Sequence, residues 1–447
     1  MAWIENLKKM DLEVADVILK ELDRQKFGLE MIPSENYTSV AVLEAMGSVL
    51  TNKYSEGYPK RRYYGGNEFI DEVEQLAIDR AKQAFGVPHA NVQPYSGTPA
   101  NFAVYMATCQ AGDVIMGHSL PDGGHLTHGW KTSFSGIFYK AVQYHVKPDG
   151  YIDFDEAWKL AREHKPKLIW VGASAYVREF PFEEFAEIAD EVNAYLAADI
   201  AHVAGLVVGG AHKNPAPYVH IITTTTHKTL RGPRGAIVMV TDKGLKKDPE
   251  LADKIDKAVF PGLQGGPHDH TTAAIAVALG ESVNPEFKEY AHQIVKNAKT
   301  LAQSLMENEI KLVSDGTDNH LMLVDLTSFG KGKGIFAQEA LDLAGITLNK
   351  NTIPAEPSSP FYPSGIRLGT PALTSRGMEE KEMQLIGKWI AEIIVEVKDY
   401  QLPDDKEERN QVLKKFREEI KNNQTIKRIK QEVIELCKRF PLYPDLV

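Results

Sequence analysis

The chain has 447 residues, a formal net charge of −10, 43% hydrophobic and 25% charged residues, and only two cysteines. The acidic balance argues against general nucleic-acid affinity, two cysteines imply no disulfide framework, and no apolar run reaches the roughly 18 residues of a membrane span. We therefore expect a soluble globular protein of the reducing cytoplasm, with no nucleic-acid or membrane partner.

The length exceeds the comfortable size of one core, which predicts two domains with terminal arms. We place an N-terminal arm and a protruding loop at residues 1–66. A large domain follows at 67–290, and a smaller C-terminal domain occupies 291–447. A helical pattern at 286–307 marks the expected hinge between the two domains.

The N-terminal arm begins with a helical pattern over residues 1–30. Asp11 is its candidate N-cap, and an apolar stripe is formed by Val14, Val17, Ile18 and Leu22. After a turn at 32–36, residues 52–66 crowd tyrosines, arginines and a lone acid among glycines. Packing alone rarely needs this composition, although tyrosine-rich loops also serve protein interfaces.

A candidate phosphate site follows the next predicted helix, which covers residues 69–85 and stops at Gly86. Residues 95–101 (YSGTPAN) open another helical run. Small residues, hydroxyls and free backbone N–H groups at a helix N-terminus suit a phosphate. The predicted contacts are Ser96, Gly97 and Thr98.

Three short apolar runs in the middle of the chain end in polar residues. The run at 168–172 leads to Ser174, a second run ends at Asp199, and a β-branched run at 219–226 leads to Lys228. β-Branched residues favour strands, and their alternation with helices predicts a mostly parallel sheet with covered faces. Ligands gather at the carboxyl ends of such strands.

Asp199 and Lys228 together suit pyridoxal phosphate (PLP). A lysine that forms a Schiff base must be partly desolvated and aimed by rigid structure, and an acid keeps the pyridine nitrogen protonated. Taken alone, the Lys228 segment has an alternative interpretation, a strand followed by a basic turn without a Schiff-base lysine. Phosphate loop, acid and lysine in this order favour a PLP site.

The C-terminal third carries fewer chemical signals. A loop at 260–267 offers backbone N–H groups, and Arg367 lies in a strand-like segment, where its planar fork suits a bidentate hold on an amino-acid carboxylate. The charged tail at 404–438 predicts one more helix, which we interpret as a solvated face.

These segments resemble the serine hydroxymethyltransferase family, PLP enzymes of the aspartate-aminotransferase fold. The resemblance runs from about Ile32 to Gly377. Its most specific motifs are NKYSEGYP at 52–59, RYYGG at 62–66, GGHLTHG at 123–129, the Lys228 segment, and GIRLGTP at 365–371. It implies an α/β fold of type I, with a mostly parallel seven-stranded sheet in the large domain and a smaller α+β C-terminal domain.

The resemblance also implies roles for residues outside the PLP pattern. Glu56 would be the acid/base at the substrate hydroxyl, Tyr54 a phosphate contact and Tyr64 a substrate-side hydroxyl, all in a loop that reaches the neighbouring subunit's site. His125 would stack on the pyridine ring, and Ser174 would reach the phenolic oxygen of PLP.

The other implied residues fall into four sets. A catalytic role is implied for Thr226; cofactor contacts for His202, His227, Gly265 and Gly266; substrate contacts for Ser34, His202 and Arg367; and pterin contacts for Leu120, Gly124, Leu126 and Asn351. The glycine pair would close the phosphate site across a homodimer, and a tetramer is the alternative assembly. No metal ligand is implied.

Three positions depart from the usual family wording. Pro99 stands where glutamine is common. Asp122 directly precedes Gly123-Gly124, a place where the family usually has Ala-His. Val177 stands where proline usually precedes the arginine at 178. Two of these loops lie close to the implied cofactor site, so the one-carbon carrier stays open between tetrahydrofolate and a modified tetrahydropterin.

The sequence therefore predicts a PLP-dependent enzyme that interconverts serine and glycine and passes a one-carbon unit to a reduced pterin. The alternative enzyme is a pterin-independent aldolase for threonine-like β-hydroxy amino acids. A non-catalytic PLP carrier or RNA-binding protein is a third class, which the intact Glu56 and Arg367 and the acidic charge oppose.

Overall fold

The computed structural model describes residues 4–444 and Leu446. The chain forms two compact units, one of Met1–Val40 with Lys296–Val447 and the other of Ala41–Val295. The first 40 residues thus group with the C-terminal part of the chain, whereas residues 41–66 group with the larger unit. Within the described part, no helix is both long enough and apolar enough to cross a membrane.

The α-helices are α1 (Glu5–Met10), α2 (Leu12–Phe27), α3 (Val40–Met46), α4 (Glu68–Phe85), α5 (Gly97–Thr108), α6 (Phe134–Phe138), α7 (Phe154–His164), α8 (Phe182–Glu191), α9 (Ala204–Val208), α10 (Asp242–Lys247), α11 (Leu251–Lys257), α12 (Asp269–Ser282), α13 (Pro285–Glu307), α14 (Gly334–Leu343), α15 (Pro371–Ser375), α16 (Glu380–Glu396), α17 (Lys406–Ile420) and α18 (Gln424–Arg439). The strands are β1 (Leu29–Glu30), β2 (Gly57–Tyr58), β3 (Arg61–Arg62), β4 (His89–Asn91), β5 (Val114–His118), β6 (Lys140–Tyr144), β7 (Leu168–Val171), β8 (Tyr195–Asp199), β9 (Ile221–Thr225), β10 (Ala236–Val240), β11 (Leu321–Asp325), β12 (Ile346–Thr347), β13 (Asn349–Asn351) and β14 (Gly365–Gly369).

The larger unit is built on a seven-stranded sheet with the order β4-β10-β9-β8-β7-β5-β6. The five strands from β9 to β6 are parallel, and β10 and β4 add an antiparallel edge. Strands β7, β9 and β10 are buried at every position, as expected when helices cover both faces of a sheet. The predicted α/β fold with a mostly parallel seven-stranded sheet is confirmed.

The register of this sheet brings the carboxyl ends of β7, β8 and β9 together. Val171 pairs with Ala198, and Asp199 pairs with Thr223. Gly172 follows β7 at a φ of +143°, and a Cβ there would overlap the Asp199 carbonyl. Only glycine permits this close approach of the two strand ends.

The smaller unit combines an antiparallel sheet, β11-β14-β13, with a two-stranded parallel pair, β1-β12. The second pair joins Leu29 to Ile346 and so ties the N-terminal segment to this unit. Arg376 reinforces the tie, because its guanidinium donates to the Lys26 carbonyl (2.9 Å) in the last turn of α2 and to the Phe440 carbonyl (2.8 Å) after α18. A cation at helix carbonyl ends also complements the helix dipoles.

Two local predictions need correction. The N-terminal helix is two helices, because Asp11 ends α1 and caps α2, accepting from the Val14 amide at 3.0 Å. Asp11 is thus confirmed as an N-cap. Val14 and Val17 are 46% and 64% exposed in the single chain, so the apolar stripe of α2 does not pack entirely on its own unit.

The C-terminal tail also differs from its predicted form. It contains two helices, α17 and α18, and both carry buried faces, with Phe416 and Ile429 completely inaccessible. Apolar residues spaced three and four apart form those faces, while lysines and glutamates cover the outer sides. The interpretation of the tail as a solvated face is therefore wrong.

Candidate functional site

Asp199 occupies the end of β8 and is buried. Its Oδ2 accepts from the amide of Asn101 at 2.8 Å and lies 3.3 Å from Nε2 of His128, while its Oδ1 accepts from the Ala201 amide at 3.1 Å. Burial alone would raise the pKa of Asp199, but hydrogen bonds from His128 and Asn101 hold it well below its ordinary value. The carboxylate is therefore ionised at neutral pH, with lone-pair capacity left on Oδ1.

His125 and His128 flank this carboxylate from the loop after β5. His125 begins the short turn Leu126–His128, and its Nδ1 accepts from the Thr127 amide. Burial lowers the pKa of His125 to about 4, so the ring is neutral at pH 7. His128 is fully buried and stacks on Trp170, with ring centroids 5.3 Å apart.

His125, His128 and Asp199 place ligand atoms within 4.8 Å of one another, the spacing of a metal site. The hydrogen bonds argue for another interpretation. Oδ2 of Asp199 already receives Asn101 and His128, and Nδ1 of His125 lies 2.7 Å from the Thr127 hydroxyl. A cation would have to displace these partners, whereas a pyridinium N–H needs only an acceptor such as Oδ1. The cluster fits PLP better than a metal ion.

The N-terminus of α5 forms the phosphate end of the site. The side chain of Ser96, its N-cap, makes no capping bond within the described chain, which leaves first-turn amides for an anion. A Cβ at Gly97 would lie 3.0 Å from Cγ2 of Thr225, the last residue of β9, so the helix begins against that strand. Asn101 follows about 6 Å further along the helix and reaches Asp199. Helix α5 would thus hold the cofactor's phosphate at its N-terminus and reach Asp199, the partner of the pyridine nitrogen, through Asn101.

Lys228 follows the β-branched run predicted as a strand, and it lies three residues beyond the end of β9. β9 ends at Thr225, whose pairing with Ala236 is the last between β9 and β10. The chain then turns, with the Gly232 amide donating to the Thr226 carbonyl (2.7 Å). The strand stops because the Gly/Pro-rich loop takes its partner away at this point.

The neighbours of Lys228 hold the turn. The Thr226 side chain is fully buried, and its hydroxyl donates to the Pro233 carbonyl at 2.6 Å. Its catalytic role stays a prediction without support from this contact. Burial lowers the pKa of His227 to about 3, so that imidazole is neutral beside the lysine.

Two further predicted residues line the same strand ends. The Ser174 amide donates to the Gly123 carbonyl at 2.7 Å, which joins the loop after β7 to the His125 loop. His202 is buried in the turn after β8, and its carbonyl accepts from the Thr229 hydroxyl at 2.9 Å.

The predicted pterin contacts of the larger unit lie in one loop. Gly124 is buried, and a Cβ there would overlap the His118 carbonyl. Leu120 is half-buried and Leu126 is exposed. The loop thus presents one exposed leucine beside His125.

Tyr54, Glu56 and Tyr64 form a second cluster of the larger unit with Gly265 and Gly266. The Tyr54 hydroxyl donates to Glu56 at 3.2 Å, and the Tyr54 and Tyr64 rings meet edge to face at 4.9 Å. Cβ atoms at Gly265 and Gly266 would lie 2.9 Å from Glu56 and 3.3 Å from the Tyr54 ring. The loop predicted to serve a partner subunit therefore packs on the glycine turn of its own chain.

Arg62 anchors this cluster and is not free for an anionic ligand. Its guanidinium donates to Asp71 (2.8 Å), Glu74 (2.6 Å) and the Ser55 carbonyl (2.8 Å). Arg62 is therefore an internal brace of the loop.

Ser34, Arg367 and Asn351 all belong to the smaller unit. Arg367 lies in the middle of β14 and donates to Asn349 at 3.0 Å; burial lowers its pKa to about 10, which leaves it charged at neutral pH. Ser34 follows Pro33 in a turn. Pro33 packs closely on Gly369 of β14, because a Cβ at Gly369 would lie 2.9 Å from Cβ of Pro33. Asn351 closes β13, opposite Gly365.

Sequence reasoning missed Asn101, Thr127 and His128 as members of the Asp199 pocket. All three stood in quoted motifs, but none was assigned a role. One available signal was spacing: Asn101 follows Gly97 by one helical turn, which turns both residues to the same side of α5.

The chain is similar to proteins of one known family over most of its length. The family model described as serine hydroxymethyltransferase matches residues 7–390. A serine hydroxymethyltransferase of Acidothermus cellulolyticus is 59% identical over 393 residues, which cover 88% of this chain and 90% of the relative. That of Microcystis aeruginosa is 52% identical over 444 residues, covering 99% and 97%. The similarity spans both compact units.

Proposed function

The chain belongs to the serine hydroxymethyltransferase family, and from that premise we propose that it interconverts serine and glycine at the Asp199 pocket. Members depend on PLP and use tetrahydrofolate as co-substrate. The observation that carries the proposal is the ionised, buried Asp199, held by Asn101 and His128 beside the strand that leads to Lys228.

The larger unit would bind and orient the cofactor, which supplies an electron sink when bound. Lys228 would hold it covalently, the first-turn amides of α5 would hold its phosphate, and Asp199 would keep a proton on its ring nitrogen. His125 would cover the ring face. All of these residues lie within 67–290, the range predicted for the large domain.

The substrate would be held mainly by groups outside that pocket. We propose that Arg367 grips the carboxylate, supported by Ser34, and that Glu56 moves a proton at the serine hydroxyl with Tyr64 beside it. His202 and Ser174 would orient substrate and cofactor. Leu120, Gly124, Leu126 and Asn351 would contact the pterin.

The reaction is tested by product formation with and without the carrier. Purified enzyme with serine should form glycine rapidly only when tetrahydrofolate is present, and a modified tetrahydropterin is assayed in parallel to identify the preferred carrier. Equal glycine formation without any pterin, together with faster cleavage of threonine, would establish the aldolase alternative instead.

Arg367→Ala should raise the KM for serine by roughly a hundredfold, the effect of losing hydrogen bonds between charged groups. Arg367→Lys should recover little of this, because an ammonium supplies charge without the two-pronged geometry. Steady-state kinetics measure both. Arg162→Lys, an exposed arginine paired with Glu191, is the matched control and should leave KM unchanged; equal KM values for Arg367→Lys and the parent would refute the bidentate hold.

We propose that the protein is a homodimer with shared active sites, or a tetramer of such dimers. Tyr54 and Tyr64 are about half exposed although they stand beside Glu56, and Val17 and Phe69 are exposed apolar residues of the single chain. A partner subunit would cover such groups in a closed two-fold assembly.

Both cysteines are free and buried, which supports a reducing cytoplasm as the place of action.

Complementation tests whether the sites are shared. Glu56→Gln and Lys228→Ala proteins should each be inactive, and mixing them under subunit exchange should restore activity. In a mixed dimer one site carries both defects and the other carries neither, so one site of the two should work. Exchange demonstrated by native mass spectrometry without recovered activity would show that both residues serve the same chain's site.

A further inference from the structure

We propose that Thr223, Asn101 and Thr127 are positioning residues that form a directional hydrogen-bond chain, and that this chain holds His125 as the neutral tautomer protonated on Nε2. The proposal rests on the proposed function only in placing His125 against the cofactor. The chain links strand β9, helix α5 and the loop after β5.

The direction of the chain starts from Asp199. An ionised carboxylate only accepts, so Asn101 must present its amide nitrogen to Oδ2, at 2.8 Å. The amide oxygen then faces Thr223, whose hydroxyl lies 2.7 Å away and must donate. Since both residues are buried, the orientation is determined by these partners and not by water.

The second hydrogen of the Asn101 amide continues the chain to Thr127. It donates to the Thr127 hydroxyl oxygen at 2.8 Å, and the hydroxyl proton is then directed to Nδ1 of His125, 2.7 Å away. The Thr127 backbone amide also points at this Nδ1, at 3.3 Å. A nitrogen that accepts from two donors cannot carry a proton of its own, so the ring proton lies on Nε2.

The surrounding charges agree with a neutral ring. Burial is the main cause that lowers the pKa of His125; Asp199 raises it, and His128 and Lys228 lower it. A neutral ring stacked on a protonated pyridine avoids the repulsion that an imidazolium would add. With His125 held neutral by the chain from Thr223, the ionised Asp199 would be the charged partner of the pyridine nitrogen of a bound cofactor.

The experiment reads the ring nitrogens of His125 directly. Full-length protein labelled with ¹⁵N-histidine is examined by long-range ¹H–¹⁵N NMR, with PLP bound and again without it, and His125→Asn identifies the resonances. The parent should show an unprotonated Nδ1 and a protonated Nε2 in both states, down to pH 6. A protonated Nδ1 in the parent would overturn the proposal whatever the variants do.

Three variants isolate the hydroxyl of the chain. Thr127→Val should give a mixture of tautomers and lower kcat about tenfold, as for one lost hydrogen bond, while Thr127→Ser should keep the parent tautomer and rate. Thr108→Val is the control, since Thr108 is a buried threonine of α5 whose hydroxyl bonds the Val104 carbonyl; its His125 signals should match the parent.

A parent-like tautomer in Thr127→Val would also overturn the proposal. If that variant does not fold, Thr223→Val tests the first link of the chain by the same NMR readout and the same criterion. Because the tautomer is observed without turnover, absence of serine activity would refute the proposed function and leave this measurement decisive.

Discussion

Lys228→Ala protein should form no covalent adduct with PLP, and its turnover should fall roughly a thousandfold or more, as for other removed covalent groups. The reason is placement: Lys228 lies in the turn after β9, the strand that pairs with the Asp199 strand and whose last residue, Thr225, packs against Gly97 at the N-terminus of α5. Borohydride reduction followed by peptide mass spectrometry measures the adduct, and the serine–glycine assay measures turnover.

Lys243→Ala is the control for this experiment, because Lys243 forms an exposed ion pair with Asp190. It should keep both the adduct and the rate of the parent. A reduced adduct that maps to a different lysine in the parent protein would refute the assignment of Lys228.

Asp199→Asn should leave the fold intact but lower kcat by about 10²–10³-fold, the usual effect of removing an electrostatic partner at a reacting site. The amide cannot hold the ring nitrogen's proton as a carboxylate does. It also adds an N–H group where Asp199 accepts from Asn101 and Ala201, so one buried donor would lose its partner. Steady-state kinetics and the visible spectrum of bound PLP measure the effect.

The pH dependence follows from the depressed pKa of Asp199. A carboxyl with a lowered folded pKa contributes stability above its unfolded pKa and loses it as pH falls through the folded value. Asp199 therefore stays ionised between pH 5 and pH 9, and its ionisation should cause no inflection in a plot of activity against pH over that range. The control for Asp199→Asn is Asp248→Asn, which changes a part-buried carboxylate paired with Lys254 and should retain the parent kcat. A loss of kcat under threefold in Asp199→Asn would exclude the proposed role.

Much of the local structure could be predicted from the sequence because its causes are local. Asp11 caps α2, Gly86 ends α4 in the left-handed conformation, and the buried runs of β7 and β9 form strands. Their alternation with helices was sufficient for the parallel sheet, because parallel strands need crossover connections. The boundary of β9 was missed since the loss of its partner strand is not a local property.

The contacts of the Asp199 pocket could not be predicted in the same way. Asn101 and His128 stand 98 and 71 residues before Asp199 in the chain. Although both residues stand in motifs, their contact with Asp199 forms only when the sheet register and helix packing bring these distant segments together. The same applies to Arg62, whose carboxylate partners on α4 make it a brace of the loop.

The sequence by itself determined the fold class, the family and the identities of Lys228, Asp199 and Arg367 as candidate reacting and binding groups, because each rests on a residue type within a local pattern. The packing of distant segments decided the rest: Val17 is left exposed in the single chain, the tail helices are part of a core, and Asn101 donates to Asp199. Burial and hydrogen-bond direction depend on which distant segments meet, and that information lies in the packed chain as a whole.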